Sequence, residues 1–235
     1  MYAITREFPF VEWGILFSEK RAGQPRYPDE DWLARFNRIC AKANMAAHLC
    51  GGFYIKGFLD GSVKVSGFNR IQLNFNAGKM GKALQSLEQR IKQNGRVQVI
   101  TQHNDANSDL WVRLQHLRNH AILFDQSGGH GVGPAEWEIP LPGVKCGYAG
   151  GLNPNNLARE LSRIALVAGE KPTWIDIESG VRDEYDRLDL EKVRKCLAIA
   201  SGYISNPDWD SVNQCPAGTA KAGNVSEIPN SSPNS

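Results

Sequence analysis

Leu123-Phe124-Asp125-Gln126-Ser127-Gly128-Gly129-His130-Gly131, Tyr148-Ala149-Gly150-Gly151-Leu152-Asn153-Pro154 and Ile175-Asp176-Ile177-Glu178-Ser179-Gly180-Val181 share one plan: an apolar β-type run that breaks into small residues. Helical periodicity follows the second and third of these runs. Strand then helix, repeated, means parallel strands joined by right-handed crossovers, whose C-terminal ends open on one face. The three small-residue loops therefore converge. Glycine there lets backbone N–H groups approach a ligand closely, and a helix starting at Pro154, with Asn153 as N-cap, adds its positive end. A barrel holds a phosphate in this way. Tight strand-to-helix turns would explain the glycines of any one loop equally well, but explain all three together less readily.

Outward from these loops the same alternation extends over most of the 235 residues. Strand-type runs fall at 12–18, 45–50, 70–75, 96–102, 121–126, 144–149 and 173–178, and helical patterns at 29–43, 78–93, 105–119, 154–168 and 189–201. Gly95 and Gly169 sit where helices should end. The series fits an open doubly wound sheet or a closed (β/α)8 barrel, the latter usually taking about 250 residues. A barrel leaves one irregular stave to assign, either 2–8 or 62–65, the second being favoured because 51–69 otherwise holds no clear element. Residues 1–205 are expected to form a single barrel. From 206 to 235 Asn, Ser, Pro and Gly replace apolar anchors, which predicts a tail without stable order.

Composition narrows the function class. Apolar runs fall short of a membrane span, and Arg6 and Glu7 interrupt the N-terminus where a secretion signal would be apolar. Five cysteines, Cys40, Cys50, Cys146, Cys196 and Cys215, form no C-x-x-C pair, so buried thiols in a reducing cytoplasm are expected. His and acidic residues lack metal-ligand spacing, and no cofactor is implied. Residues 1–100 carry 15 basic and 8 acidic groups against 12 and 17 in the remainder, but the basic residues are scattered without a stripe. A solvated surface, with no nucleic-acid partner, is expected. Nothing in the composition specifies an oligomeric state.

Over residues 121–197 the chain resembles the phosphoribosylanthranilate isomerase family, a (β/α)8 barrel. Leu123-Phe124-Asp125, Gly128-Gly129-His130-Gly131 with Trp137, Ala149-Gly150-Gly151-Leu152-Asn153-Pro154-Asn155-Asn156 and Ser179-Gly180-Val181-Arg182 are similar, in order and spacing, to the family's strand and loop motifs. Weaker likeness extends to Gly14-Ile15-Leu16-Phe17, Pro25-Arg26-Tyr27 and Ile71-Gln72-Leu73-Asn74. The resemblance implies a phosphoribosyl site in which Gly129, Gly150, Gly151, Ser179 and Gly180 cradle phosphate and Arg26 faces the carboxylate of an anthranilate-like group. Asp125 would stand in the place of the general acid. From its strand-end position alone, Asp125 could equally cap a helix or shape a loop.

The departures are as informative as the matches. The family's opening Lys-Ile-Cys-Gly strand, which carries the catalytic base, has no counterpart, and only 13 residues precede Gly14. His130, Asn74 and Arg182 replace the family's loop threonine, strand histidine and final glutamate. Substitutes for the base are His48, His130 and Glu178, the last expected on the same side of its strand as Asp176; His48 is expected as a core residue, and His103, His116 and His120 as surface or capping residues. Two functions follow. One is a binder of a phosphorylated small molecule, a ribose phosphate or nucleotide, that sequesters a signalling nucleotide. The alternative is a divergent sugar-phosphate isomerase using Asp125 as general acid.

Overall fold

The computed structural model describes residues 1–40, 43–126, 132–204 and 224–227. In chain order it contains α1 (Tyr2–Glu7), β1 (Glu12–Phe17), α2 (Glu30–Ile39), β2 (Asn44–Cys50), α3 (Gly51–Asp60), β3 (Val63–Ser66), β4 (Arg70–Asn74), α4 (Leu87–Gln93), β5 (Gln98–His103), α5 (Leu110–Leu114), β6 (His120–Phe124), β7 (Lys145–Ala149), α6 (Leu157–Ala168), β8 (Thr173–Asp176), α7 (Leu190–Ser201) and β9 (Asn224–Glu227). All seven strands expected for the barrel form. They pair in parallel in the order β1-β2-β4-β5-β6-β7-β8. The fold is an α/β (β/α)8-type barrel in which seven staves are paired among the described residues.

Strand alternation sorts the side chains into two layers. Val99, Ile122, Cys146 and Tyr148 face outward and join Leu87, Ile91, Leu157 and Ile164 of the helices in the main core. Ile100, Ala121, Leu123 and Ala149 face the lumen, with Trp174 packed against them. On β1, β2 and β4 most lumen positions are instead polar or small: Glu12 and Gly14 beside Leu16, then His48, Arg70 and Gln72. The size pairing is tight. A Cβ on Gly14 would lie 2.8 Å from the His48 ring, and one on Gly147 would overlap the Trp174 indole.

β1 and β8 are the two edges of this sheet, and a cavity of about 680 Å3 opens along the seam between them. Side chains span the lumen beside it. Arg70 of β4 donates from Nε and Nη2 to the Glu12 carboxylate of β1, and its guanidinium lies 4.5 Å from the ring centroid of Trp174 on β8. The two open edges are thus tied through an ion pair and a cation–π contact.

Neither segment expected to supply the eighth stave joins the sheet. Residues 2–7 are helical, and the favoured run contributes to β3, which pairs antiparallel with β9. The reason is local packing: Val63 fits against Gly57 of α3, where any Cβ would overlap it, and Val63 and Val225 are both buried. From the region expected to lack order, residues 224–227 therefore form a strand; the rest of it lies outside the described residues. The helix expected from 154 begins at Leu157, because Asn153 Oδ1 accepts the Asn155 N–H (2.9 Å) and a turn forms first. Asp29 and Asp189 cap α2 and α7 by accepting backbone N–H groups. Among the described residues no helix is long and apolar enough to cross a membrane, and no cluster of His, Cys, Asp and Glu could hold a metal ion.

Candidate functional site

Two carboxylates end adjacent parts of the lumen. Asp125, directly after β6, is buried and accepts a 2.9 Å hydrogen bond from Gln102 Nε2, while Asn104 Nδ2 donates to its backbone carbonyl at 3.3 Å. Asp176 closes β8. Burial pushes its carboxyl above the usual 3.8; a hydrogen bond with Gln72 opposes this, the Asp125 charge adds to it, and the Arg70 charge opposes it. Asp176 is therefore a carboxyl that holds its proton longer than a solvated one.

A stability consequence follows with a definite sign. As pH rises above 3.8, the unfolded chain releases this proton before the folded one does, so the native state loses ground until its own raised pKa is passed. Asp176→Asn is expected to be more stable than the parent protein above that pH, with a gap that widens and then levels. Urea unfolding across a pH series checks it; a constant gap would remove the burial argument.

Deeper in the lumen, Gln72 Nε2 lies 3.4 Å from His48 Nδ1 and donates to Asn74 Oδ1 at 3.1 Å, and Asn74 Nδ2 donates to Cys50 Sγ at 3.3 Å. Burial pushes His48 down to about 4, so its imidazole is neutral at physiological pH. The same cause pushes the Cys50 thiol up to about 11. Neither is a poised base: one ring takes up a proton too weakly, and the thiol releases one too reluctantly.

Above these groups the loops after β7 and β8 close on each other around a cavity of about 40 Å3, lined by Asp125, residues 149–152 and residues 176–180. Gly150 (φ 121°) and Gly151 (φ 64°) take backbone conformations that favour glycine, and a Cβ on Gly151 would overlap the backbone of Gly133 in the β6–β7 loop. A Cβ on Gly180 would overlap the Leu152 carbonyl oxygen. Asn153 and Asn156 fix this turn by donating side-chain N–H groups to the Gly151 carbonyl at 3.0 and 2.9 Å. The β6–β7 loop is held by Trp137, whose indole N–H donates 2.9 Å to the buried Glu160 carboxylate of α6.

Arg26, from the loop after β1, reaches this rim. Its Nη1 donates to Glu178 Oε1 at 2.6 Å, its Nε to both oxygens of Asp186 at 2.8 Å, and its Nη2 to Ser179 Oγ at 3.3 Å. The Asp186 hydrogen bond dominates in pushing the guanidinium pKa up. Asp186 is the only non-glycine residue among those described with a left-handed backbone, at φ 62°.

Of the residues singled out from sequence, Asp125, Gly150, Gly151, Glu178, Ser179 and Gly180 line one small cavity, Arg26 bonds to its rim, and His48 lies below it in the lumen. Gly129 and His130 lie outside the described residues. His120, expected as a surface or capping residue, is instead buried at the start of β6, 3.0 Å from Thr101 Oγ1. Gln72 and Gln102 went unassigned in sequence, although their two-residue spacing from Asn74 and Ile100 places them on the lumen side. Asp186 carried no signal, since its approach to Arg26 depends on how the β8 loop folds.

Comparison with known proteins bears on both fold and family. Phosphoribosyl anthranilate isomerase from Thermus thermophilus superposes with a TM-score of 0.55 at 17% identity, covering 86% of this chain and 92% of that one. The enzyme of that name from Thermotoga maritima gives 0.56 at 20% identity, covering 81% and 88%, and TrpF from Jonesia denitrificans 0.55 at 14%, covering 86% and 91%. These superpositions show the shared barrel fold. No curated protein sequence matches the chain. The sequence model described as N-(5'phosphoribosyl)anthranilate (PRA) isomerase matches residues 64–198, from β3 into α7 and more than half of the chain. With that match and the barrel together, the chain belongs to the N-(5'phosphoribosyl)anthranilate isomerase family.

Proposed function

We propose that the barrel binds a phosphoribosyl compound without turning it over, with the phosphate between the β7 and β8 loops and the sugar toward Asp125 and Asp176. The observation that carries this reading is the convergence of six sequence-selected residues on one cavity of about 40 Å3. Such a space has room for about three waters, comparable to a phosphate head. Backbone approach at Gly150, Gly151 and Gly180 together with the Ser179 hydroxyl supplies the donors an anion needs.

Binding without turnover is favoured by the state of the described candidate bases. His48 is neutral with a weakly basic ring, Cys50 is a protonated thiol, and Glu178 is already paired with Arg26. A nucleotide of the kind used in signalling falls within the ligand class, and sequestering it is the use that suits a barrel with phosphate grip and no poised base. One observation favours the second reading, an isomerase: Asp125 and Asp176 are electrostatically coupled, and the raised pKa of Asp176 gives an acid beside the sugar position. Calorimetric titration with ribose 5-phosphate tests the proposal. The expected result is stoichiometric binding that Ser179→Ala weakens. No heat and no thermal shift would refute it, and consumption of an aminated ribose 5-phosphate, lost in Asp125→Asn, would replace it with the isomerase.

A further inference from the structure

We propose, resting on the phosphoribosyl reading above, that Asp186 occupies the carboxylate-binding edge of Arg26, so that the site selects ligands whose ring or base carries no carboxylate. A guanidinium recognises carboxylates through paired N–H donors on one planar edge. In Arg26 that edge is taken: Nε reaches both Asp186 oxygens at 2.8 Å, Nη2 pairs with the same carboxylate at 2.8 Å, and Nη1 is held by Glu178 at 2.6 Å. The one remaining polar contact, from Nη2 to Ser179 Oγ, joins the arginine to the phosphate rim.

Charge accounting points the same way. Two cations, Arg26 and Arg182, face two anions, Glu178 and Asp186, on this side of the cavity. Arg182 also lines the seam cavity, but its Nη1 donates to the Asp186 carbonyl at 3.1 Å, which turns the guanidinium toward the same loop. A carboxylate entering here would be an uncompensated third anion, next to Asp176 and Asp125 as well. The neighbouring space offers a ring apolar walls, and of its further charges Arg70 is already engaged by Glu12 and Trp174. The seam cavity shares Asp176, Ile177 and Glu178 with the phosphate cavity and continues past Trp32, Val193 and Leu197.

Two ketose phosphates that differ only by this group make the test: 1-deoxyribulose 5-phosphate bearing an anilino group, and the same compound bearing a 2-carboxyanilino group. Calorimetry is run with the parent protein and with Asp186→Asn, which keeps a residue tolerant of the left-handed backbone while removing the charge. The parent should bind the anilino compound about tenfold or more tightly, as like-charge juxtaposition dictates, and Asp186→Asn should reduce that preference by about tenfold. Preference of the parent for the carboxylated compound, or an unchanged ratio in the variant, overturns the assignment. Ribose 5-phosphate separates the two ideas. If it binds while neither ketose does, or while the ratio stays unchanged, only the role of Asp186 falls; if it does not bind, the phosphoribosyl reading falls and this inference with it.

Discussion

Gly180→Ala is expected to abolish phosphate binding and to cost the fold about 1–3 kcal/mol, the range for inserting a methyl into filled space. The added Cβ would overlap the Leu152 carbonyl oxygen and lie 2.9 Å from Asn153 Cβ. Neither neighbour can turn aside. Leu152 is buried, and Asn153 is fixed on both sides, its N–H donating to Asn156 Oδ1 and its amide to the Gly151 carbonyl. Relief therefore requires the β7 and β8 loops to separate, and the cavity between them is the proposed phosphate site. Displacement of a binding group by about 1 Å can cost about a hundredfold. Gly95→Ala is the control: its φ of 60° makes alanine unfavourable, but no atom lies within 4 Å of the new Cβ. It should lose about 1 kcal/mol of stability and bind ribose 5-phosphate normally. Equal binding by the two variants would show that contact between the loops does not shape the phosphate site.

That contact could be foreseen only in part. The three strand-end loops stand out in the sequence because glycine recurs at matching points of a repeated strand–loop plan, and a parallel sheet places such points on one face. The seven strands are similarly legible, since β5 to β8 alternate between residues for the outer core and lumen residues that, apart from Gln102 and Asp176 near the strand ends, are mostly small or apolar. The expected eighth stave is absent from 62–65 for a physical reason. A short apolar run such as Val63–Val65 says that it will pair, but not with what, and here α3 and β9 claim it. Helix α3 itself is hidden by its Gly51-Gly52 start and by Gly57 in its middle. Asp186 illustrates the deeper limit. Its partner Arg26 is 160 positions away in sequence, and a carboxylate in a charged loop gives no hint of a long-range pair. Glu12, Arg70 and Gln72 look in sequence like surface positions on half-exposed strands. They become lumen residues only when the sheet curls and Glu12, Arg70 and Trp174 meet beside the seam.

Acid is expected to unfold the protein well above the pH at which carboxylates protonate, and two buried imidazoles are the cause. His48 lies in the lumen and His120 behind β6; they are 7% and 2% exposed, and burial pushes both from 6.5 down to about 4. Below pH 6.5 the unfolded chain takes up protons that these folded rings refuse, so stability is fully present above 6.5 and falls until about pH 4, where the folded rings also protonate. At about 1.4 kcal/mol per pH unit, each ring contributes a loss of roughly 3 kcal/mol over that window. Both together match a large part of the 5–15 kcal/mol typical of a domain. Asp176 acts with the opposite sign over the lower part of the window, while the half-buried His103 is pushed down by burial in the same sense as the two rings. Urea unfolding at several pH values between about 7 and 4.5 measures the slope. His120→Gln, which keeps a donor for Thr101 Oγ1, and His48→Gln, which keeps a polar partner for Gln72, should each remove a large part of it. If both variants retain the full pH dependence, the protons are taken up elsewhere and the rings are not as enclosed as their packing indicates.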